Sequence, residues 1–264
     1  MSPAVRHDDP SLRPIDRLLA VMAQLRNPDG GCEWDLAQNF ATIAPYTIEE
    51  AYELADAIAG GEADQIREEL GDLLLQVVFH AQIASDNKLF DFDAVADTIS
   101  NKMIRRHPHI FGDGHELPQR AAWEEIKAAE RAQKLNATEK GALAGVALAL
   151  PALKRAEKLQ ARAARVGFDW PDAEGPRAKI IEELAELEEA QDSAARHEEM
   201  GDLLFAVANL ARKLDIDPEA ALSAANRKFE GRFAAMEALA GGSMADQPLE
   251  AQEALWQRVK AAGG

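Results

Sequence analysis

Two acidic passages of this chain occur twice, in the same order and at nearly the same spacing. Ile48 to Leu54 reads IEEAYEL, and Ile181 to Leu187, 133 positions on, reads IEELAEL. Glu68 to Leu75 reads EELGDLLL, and Glu198 to Phe205, 130 positions on, reads EEMGDLLF. The offsets differ because the connector differs: it holds Gly60-Gly61 in one copy and Asp192-Ser193 in the other, both good turn chemistry. A weaker match relates Asp91 to Arg106 (DFDAVADTISNKMIRR) with Asp217 to Arg232 (DPEAALSAANRKFEGR). Self-similarity on this scale means one supersecondary unit used twice.

The unit is helical. Leu70, Leu73, Leu74, Val77 and Ala81 recur at helical spacing. Ala, Glu, Leu, Gln, Lys and Arg fill long stretches, β-branched alternation is scarce, and aromatics make up only 6%. The fold class is therefore all-α: two tandem repeats of a helical bundle, each with three core helices and a preceding helix at about 14–26 or 151–165. The third helices are expected to open at Asp93 and at Asp217-Pro218. The expected division is a first domain over 1–115, a linker region over 116–145 and a second domain over 146–264. The linking stretch runs through the turn-rich HPHIFGDGHELP, the charged helical WEEIKAAERAQK and the small-residue GALAGVALALP.

Composition narrows the partners. A net charge of −17 repels nucleic-acid backbones, so a polymer of nucleotides is a poor partner. No apolar run approaches the roughly 20 residues needed to span a bilayer, and MSPAVRHDDPSLRP has no secretory-type apolar segment. Cys32 is the only cysteine, which excludes an intrachain disulfide and a cysteine metal cage, and is read as structural. These features point to the cytoplasm.

Chemistry enters through the repeated carboxylates. Glu50 and Glu53 project from one helix face, and Glu69 and Asp72 do so on the next helix. The second half repeats the set with Glu182, Glu183 and Glu186, then Glu199 and Asp202. If each pair of helices packs as an antiparallel hairpin, four carboxylates converge. A solvated acidic face is the plain alternative. Against it, Asp72 and Asp202 interrupt highly apolar runs, beside Gly71 and Gly201, where a helix gains nothing from either residue. A hard divalent cation makes such a cluster favourable, and Mg²⁺ prefers oxygen ligands. None of the six histidines has a Glu three residues before it, which argues against di-iron chemistry. An EF-hand loop, a Walker A loop, Gly-x-Gly-x-x-Gly and Gly-x-Ser-x-Gly are likewise missing from the sequence.

Glu-Glu-x-x-Glu, a connector, then Glu-x-x-Asp resembles the signature of the all-α nucleoside triphosphate pyrophosphatases, and its double occurrence resembles the MazG family. The likeness extends through LRNPDGGCEWD, RRHPHIFGD, RAARVGFDWPD and NRKFEGRF, with Glu33 and Asn39-Phe40 as departures from the usual family residues. The resemblance implies that Glu183, Glu186, Glu199 and Asp202 hold Mg²⁺, with Mn²⁺ as a substitute, and that Glu50, Glu53, Glu69 and Asp72 form the equivalent first-half set. It further implies cleavage of nucleoside triphosphates to monophosphate and pyrophosphate by a homodimer. Broad apolar stripes such as Leu73, Leu74, Val77 and Val78 also call for a second copy. Two other readings remain: an acidic helical adaptor or dimerisation protein, and a pyrophosphatase restricted to one nucleotide, such as dUTP or an alarmone.

Cations separate the halves. Lys228 and Arg232 lie four apart after Asn226, whereas equal counting from Asn101 gives Met103 and His107, with Lys102, Arg105 and Arg106 close by. Lys179 stands one turn before Glu183, to pair with a phosphate or with that glutamate; Tyr46 is its first-half counterpart. Phosphoryl transfer needs positive charge besides the metal, so the second half is favoured as the main site. Glu182 is the candidate to orient or deprotonate the attacking water. Trp256 either stacks on a base or docks its helix, while Trp34 and Trp170 are read as packing residues.

Overall fold

The computed structural model describes residues 11–112, 141–242, 244, 245 and 247–262. The chain divides into two compact units, Met1–Ile126 and Lys127–Gly264. Every regular element among the described residues is a helix. Most of the expected linker 116–145, including WEEIKAAERAQK, lies outside the described residues.

The first unit contains α1 (Pro14–Leu25), α2 (Glu33–Ala37), α3 (Phe40–Gly60), α4 (Ala63–Asp86), α5 (Phe92–Arg106) and α6 (Pro108–Phe111). Asn39 opens α3 with a reciprocal cap: its side chain accepts from Ala41 and Thr42 N–H, and Thr42 Oγ1 accepts from Asn39 N–H. Gly61, at φ 81°, closes α3 in the left-handed conformation that glycine adopts without penalty, and the chain turns back as α4. α1 and α5 pack on α4, and Met22, Ile43, Val78, Phe79 and Ile83 form the core.

The second unit repeats the plan with α7 (Ala152–Ala164), α8 (Glu174–Glu189), α9 (Ser193–Lys213) and α10 (Pro218–Ala240), and adds α11 (Leu249–Ala261). α8 and α9 form the hairpin, α7 lies against α9 and α10, and α11 folds back on α10 around Met236, Met244 and Val259. Asp192 caps α9 and Asp217 caps α10, with Pro218 at the first helical position. The repeat even preserves a turn: α4 and α9 are each followed by a non-glycine residue at φ 57°, Lys88 and Asp215. The next residue's N–H reaches back to Ala84 O and Ala211 O respectively, at 2.9 Å in both.

One expectation needs correction. α5 opens at Phe92, and its cap is Asp91, which accepts from Ala94 N–H; Asp93 is already inside the first turn. Of the apolar stripe on α4, Leu70, Leu74 and Val77 are exposed, while Ala81 is buried with Val78, Phe79, Ile83 and Ala84. A hairpin has one inner face, so a wider apolar stripe runs over onto its outer side.

Candidate active site

In the second unit the hairpin brings one carboxylate oxygen each of Glu183, Glu199 and Asp202 within 4.8 Å of one another. Glu183 is the buried member, at 2% exposure, whereas Asp202 is open to solvent. The cost argued for Asp202 thus falls on Glu183, because the apolar run around Asp202 faces outward. Glu183 Oε1 is paired with Lys179, and Oε2 is buried without a partner. Lys179 also reaches Glu182 at 2.9 Å. The Glu199 carboxyl is pushed above its usual range by burial, then by the charges of Glu186, Glu183, Asp202 and Glu198. Glu186 therefore stands near the cluster.

The first unit has a parallel cluster: Glu50, Glu69 and Asp72 lie within 4.8 Å of one another. Burial and the charges of Asp72, Glu53 and Glu69 push the Glu50 carboxyl up, and Glu69 is raised by burial and then by Glu53 and Asp72. Mutual repulsion of this kind, with an orphaned buried oxygen on Glu183, suits a hard divalent cation, and the all-oxygen donor sets fit one.

The surroundings of the clusters differ. In the second unit a cavity of about 740 Å³ is lined by Lys179, Glu183 and Asp202 together with Gln160, Trp170 and Asn209. In the first unit Phe79 stands at the repeat position of Asn209. It is buried beneath the Arg26 guanidinium, 5.5 Å from the ring centroid, and meets Trp34 edge-on at 6.4 Å. Trp34 also packs edge-on against Tyr46 at 6.3 Å. The departures from the family pattern have local reasons. Asn39 caps α3, Phe40 stacks on His80 at 5.8 Å, and Glu33 begins α2, where negative charge is favoured. Cys32 is free and half-buried just before α2.

Lys228, Arg232 and Trp256 are grouped elsewhere in the second unit, and none of them lines the cavity. Arg232 lies over the Trp256 ring at 5.7 Å, Phe229 packs against the same ring at 5.6 Å, and Trp256 packs on the Met236–Met244–Val259 cluster. The Lys228 side chain makes no hydrogen bond or ion pair among the described residues. Spacing along the sequence missed Gln160, Asn209 and the tether on the FDW segment, in which Lys213 Nζ donates to Asp169 at 2.8 Å and Arg212 Nη1 at 3.2 Å. Burial pushes the Asp169 carboxyl up, but these hydrogen bonds outweigh it and hold it below its usual range. Trp170, read as a packing residue, lies against Gly175 and also lines the cavity.

The two halves match models of two related domains: the MazG nucleotide pyrophosphohydrolase domain over residues 38–111 and phosphoribosyl-ATP pyrophosphohydrolase over 151–229. Both are domains of the all-α nucleoside triphosphate pyrophosphatase fold, so that fold occurs twice in tandem. Over most of the chain, a nucleoside triphosphate pyrophosphohydrolase of Escherichia coli (strain K12) is 49% identical, covering 93% of this chain and 97% of its own. The nucleoside triphosphate pyrophosphohydrolase/pyrophosphatase MazG of Thermotoga maritima is 46% identical, covering 93% and 95%. The chain belongs to the MazG family of nucleoside triphosphate pyrophosphohydrolases and is an enzyme of that class. An adaptor without turnover is thereby set aside.

Proposed function

We propose that this enzyme hydrolyses nucleoside triphosphates to nucleoside monophosphate and pyrophosphate in a Mg²⁺-dependent reaction, with Mn²⁺ as a substitute. It acts as a cytoplasmic homodimer that maintains the nucleotide pool. The observation that carries this reading is the convergence of Glu183, Glu199 and Asp202, of which Glu183 and Asp202 line a cavity together with Lys179. Glu183, Glu186, Glu199 and Asp202 would hold the cation in the second unit, and Glu50, Glu53, Glu69 and Asp72 in the first. When bound, Mg²⁺ supplies Lewis acidity and the positive charge that a triphosphate needs beside so many carboxylates.

The chain's own groups do the rest. Glu182, exposed beside buried Glu183, orients the attacking water and takes its proton. Lys179 exchanges Glu183 for a phosphate oxygen. Lys228 and Arg232 meet the remaining phosphate charge, and Trp256 stacks on the base, both brought to the cavity by assembly of the dimer. The second unit is the principal site: it has Lys179 and an open cavity where the first has Tyr46 and the packed ring of Phe79. The domain limits 1–115 and 146–264 fit this division of labour.

The test is product analysis with Mg²⁺ and a panel of NTPs and dNTPs. Pyrophosphate and monophosphate, lost on chelation, are expected; orthophosphate and diphosphate would show a different reaction class. The same panel separates a general enzyme from one restricted to dUTP or an alarmone.

A further inference from the structure

We infer that the cavity beside Glu183 is the nucleobase pocket of the second unit, and that Gln160 and Asn209 hydrogen-bond the base edge. This rests on the reading of the carboxylate cluster as the triphosphate site. Gln160 is 6% exposed and sits in the cavity wall. Its Nε2 donates to Phe205 O at 2.8 Å, and a carbonyl only accepts, so the amide is fixed with Oε1 as its free end. That oxygen is buried and has no hydrogen-bond partner, a state that a ligand's N–H would relieve.

Asn209 is 7% exposed and fixed in the opposite sense. Its Oδ1 accepts from Arg212 Nε at 3.0 Å and from Nη2 at 2.7 Å, which leaves Nδ2 as the free donor. The wall therefore offers one acceptor and one donor. Every common base carries an N–H beside an acceptor on its pairing edge, so this pair suits a nucleobase and tolerates all four. Trp170, on the tethered FDW segment, adds an aromatic surface to the same wall. The cavity is within the range that binds small ligands. Glu183 and Asp202 line it as well, so base and phosphates fit one continuous site. In the first unit Phe79 stands where the second has the Asn209 donor.

The experiment compares binding of AMP and CMP with that of abasic ribose 5-phosphate to the full chain by calorimetry. Wild type, Gln160→Met and Asn209→Leu are measured, with thermal melts to check folding. Wild type is expected to favour the nucleotides over ribose 5-phosphate by about 10-fold or more, and each variant should lose most of that margin. Asn209→Asp, which keeps the bonds to Arg212 but turns the donor into an acceptor, should also lose it. A margin absent from wild type, or unchanged in all three variants, overturns the inference. Pyrophosphate release by wild type is scored separately, so failure of the pocket and failure of the proposed reaction are distinguishable.

Discussion

Glu183 carries more of the site than its neighbours because burial leaves it the least free. One oxygen is tied to Lys179, the other is orphaned, and the side chain has almost no contact with water. Glu183→Ala, and Asp202→Asn on the facing helix, should each remove nearly all pyrophosphate release. Glu50→Ala should leave most of it, since the first unit has Tyr46 at the position of Lys179 and the packed Phe79 ring at that of Asn209. Equal loss in Glu50→Ala and Glu183→Ala, in assays run side by side, would mean that both units work. Lys228→Ala should lower turnover while leaving Mg²⁺ affinity by calorimetry unchanged, because the proposed mechanism assigns it to phosphate and not to metal. Gly175 is a second sensitive position: a Cβ there would stand 2.1 Å from Trp170 Cδ1. Gly175→Ala must displace the ring, at a cost of about 1–3 kcal/mol in a chemical melt.

At the scale of the element, the ends of the helices set the site. α9 carries Glu199 and Asp202 from a start fixed by Asp192, whose side chain accepts from Ala194 and Ala195 N–H at 2.9 Å. Asp192→Ala should cost about 1 kcal/mol in a urea melt. α10 starts at Asp217, which also accepts from Lys154 Nζ at 2.5 Å. Burial pushes the Asp217 carboxyl up, but the bonds from Lys154 and from Ala220 N–H outweigh it, and the group lies below its usual range. A lowered folded value means that ionised Asp217 stabilises the fold above the unfolded value near 3.8, and that this is lost as pH falls through the folded value. Asp217→Asn should therefore melt below wild type at neutral pH. The gap should close only below about pH 3.8, and a gap constant with pH would refute the assignment.

Both hairpins expose large apolar side chains among the described residues. On the second hairpin Ile181, Leu184, Met200, Leu204 and Val207 are exposed, and on the first Ile48, Tyr52, Leu70, Leu74 and Val77. Surface of this extent on a chain of net charge −17 is what the proposed second copy would cover. Light scattering at micromolar concentration should give twice the chain mass. Leu204→Glu combined with Val207→Glu should shift it toward the monomer, and a wild-type monomer would remove the dimer from the proposed mechanism.

The periodicity, the Asp217 start of α10 and the repeat were legible in the residues, because each is a local rule: 3.6 residues per turn, an oxygen to cap an N-terminus, a turn between two helices. The grouping of Glu69 with Asp72 and of Glu199 with Asp202 was legible for the same reason, since three-residue spacing places two side chains on one face wherever the helix lies. What local rules could not supply was environment. Only packing decided that Glu183, and not Asp202, is the buried acid, and that Leu70, Leu74 and Val77 face out. Only the meeting of α7 with α9 joined Gln160 to Phe205, 45 residues apart, and left its oxygen unpaired in a cavity wall. Burial and orphaned polar groups depend on which surfaces meet, and residues distant in sequence settle that.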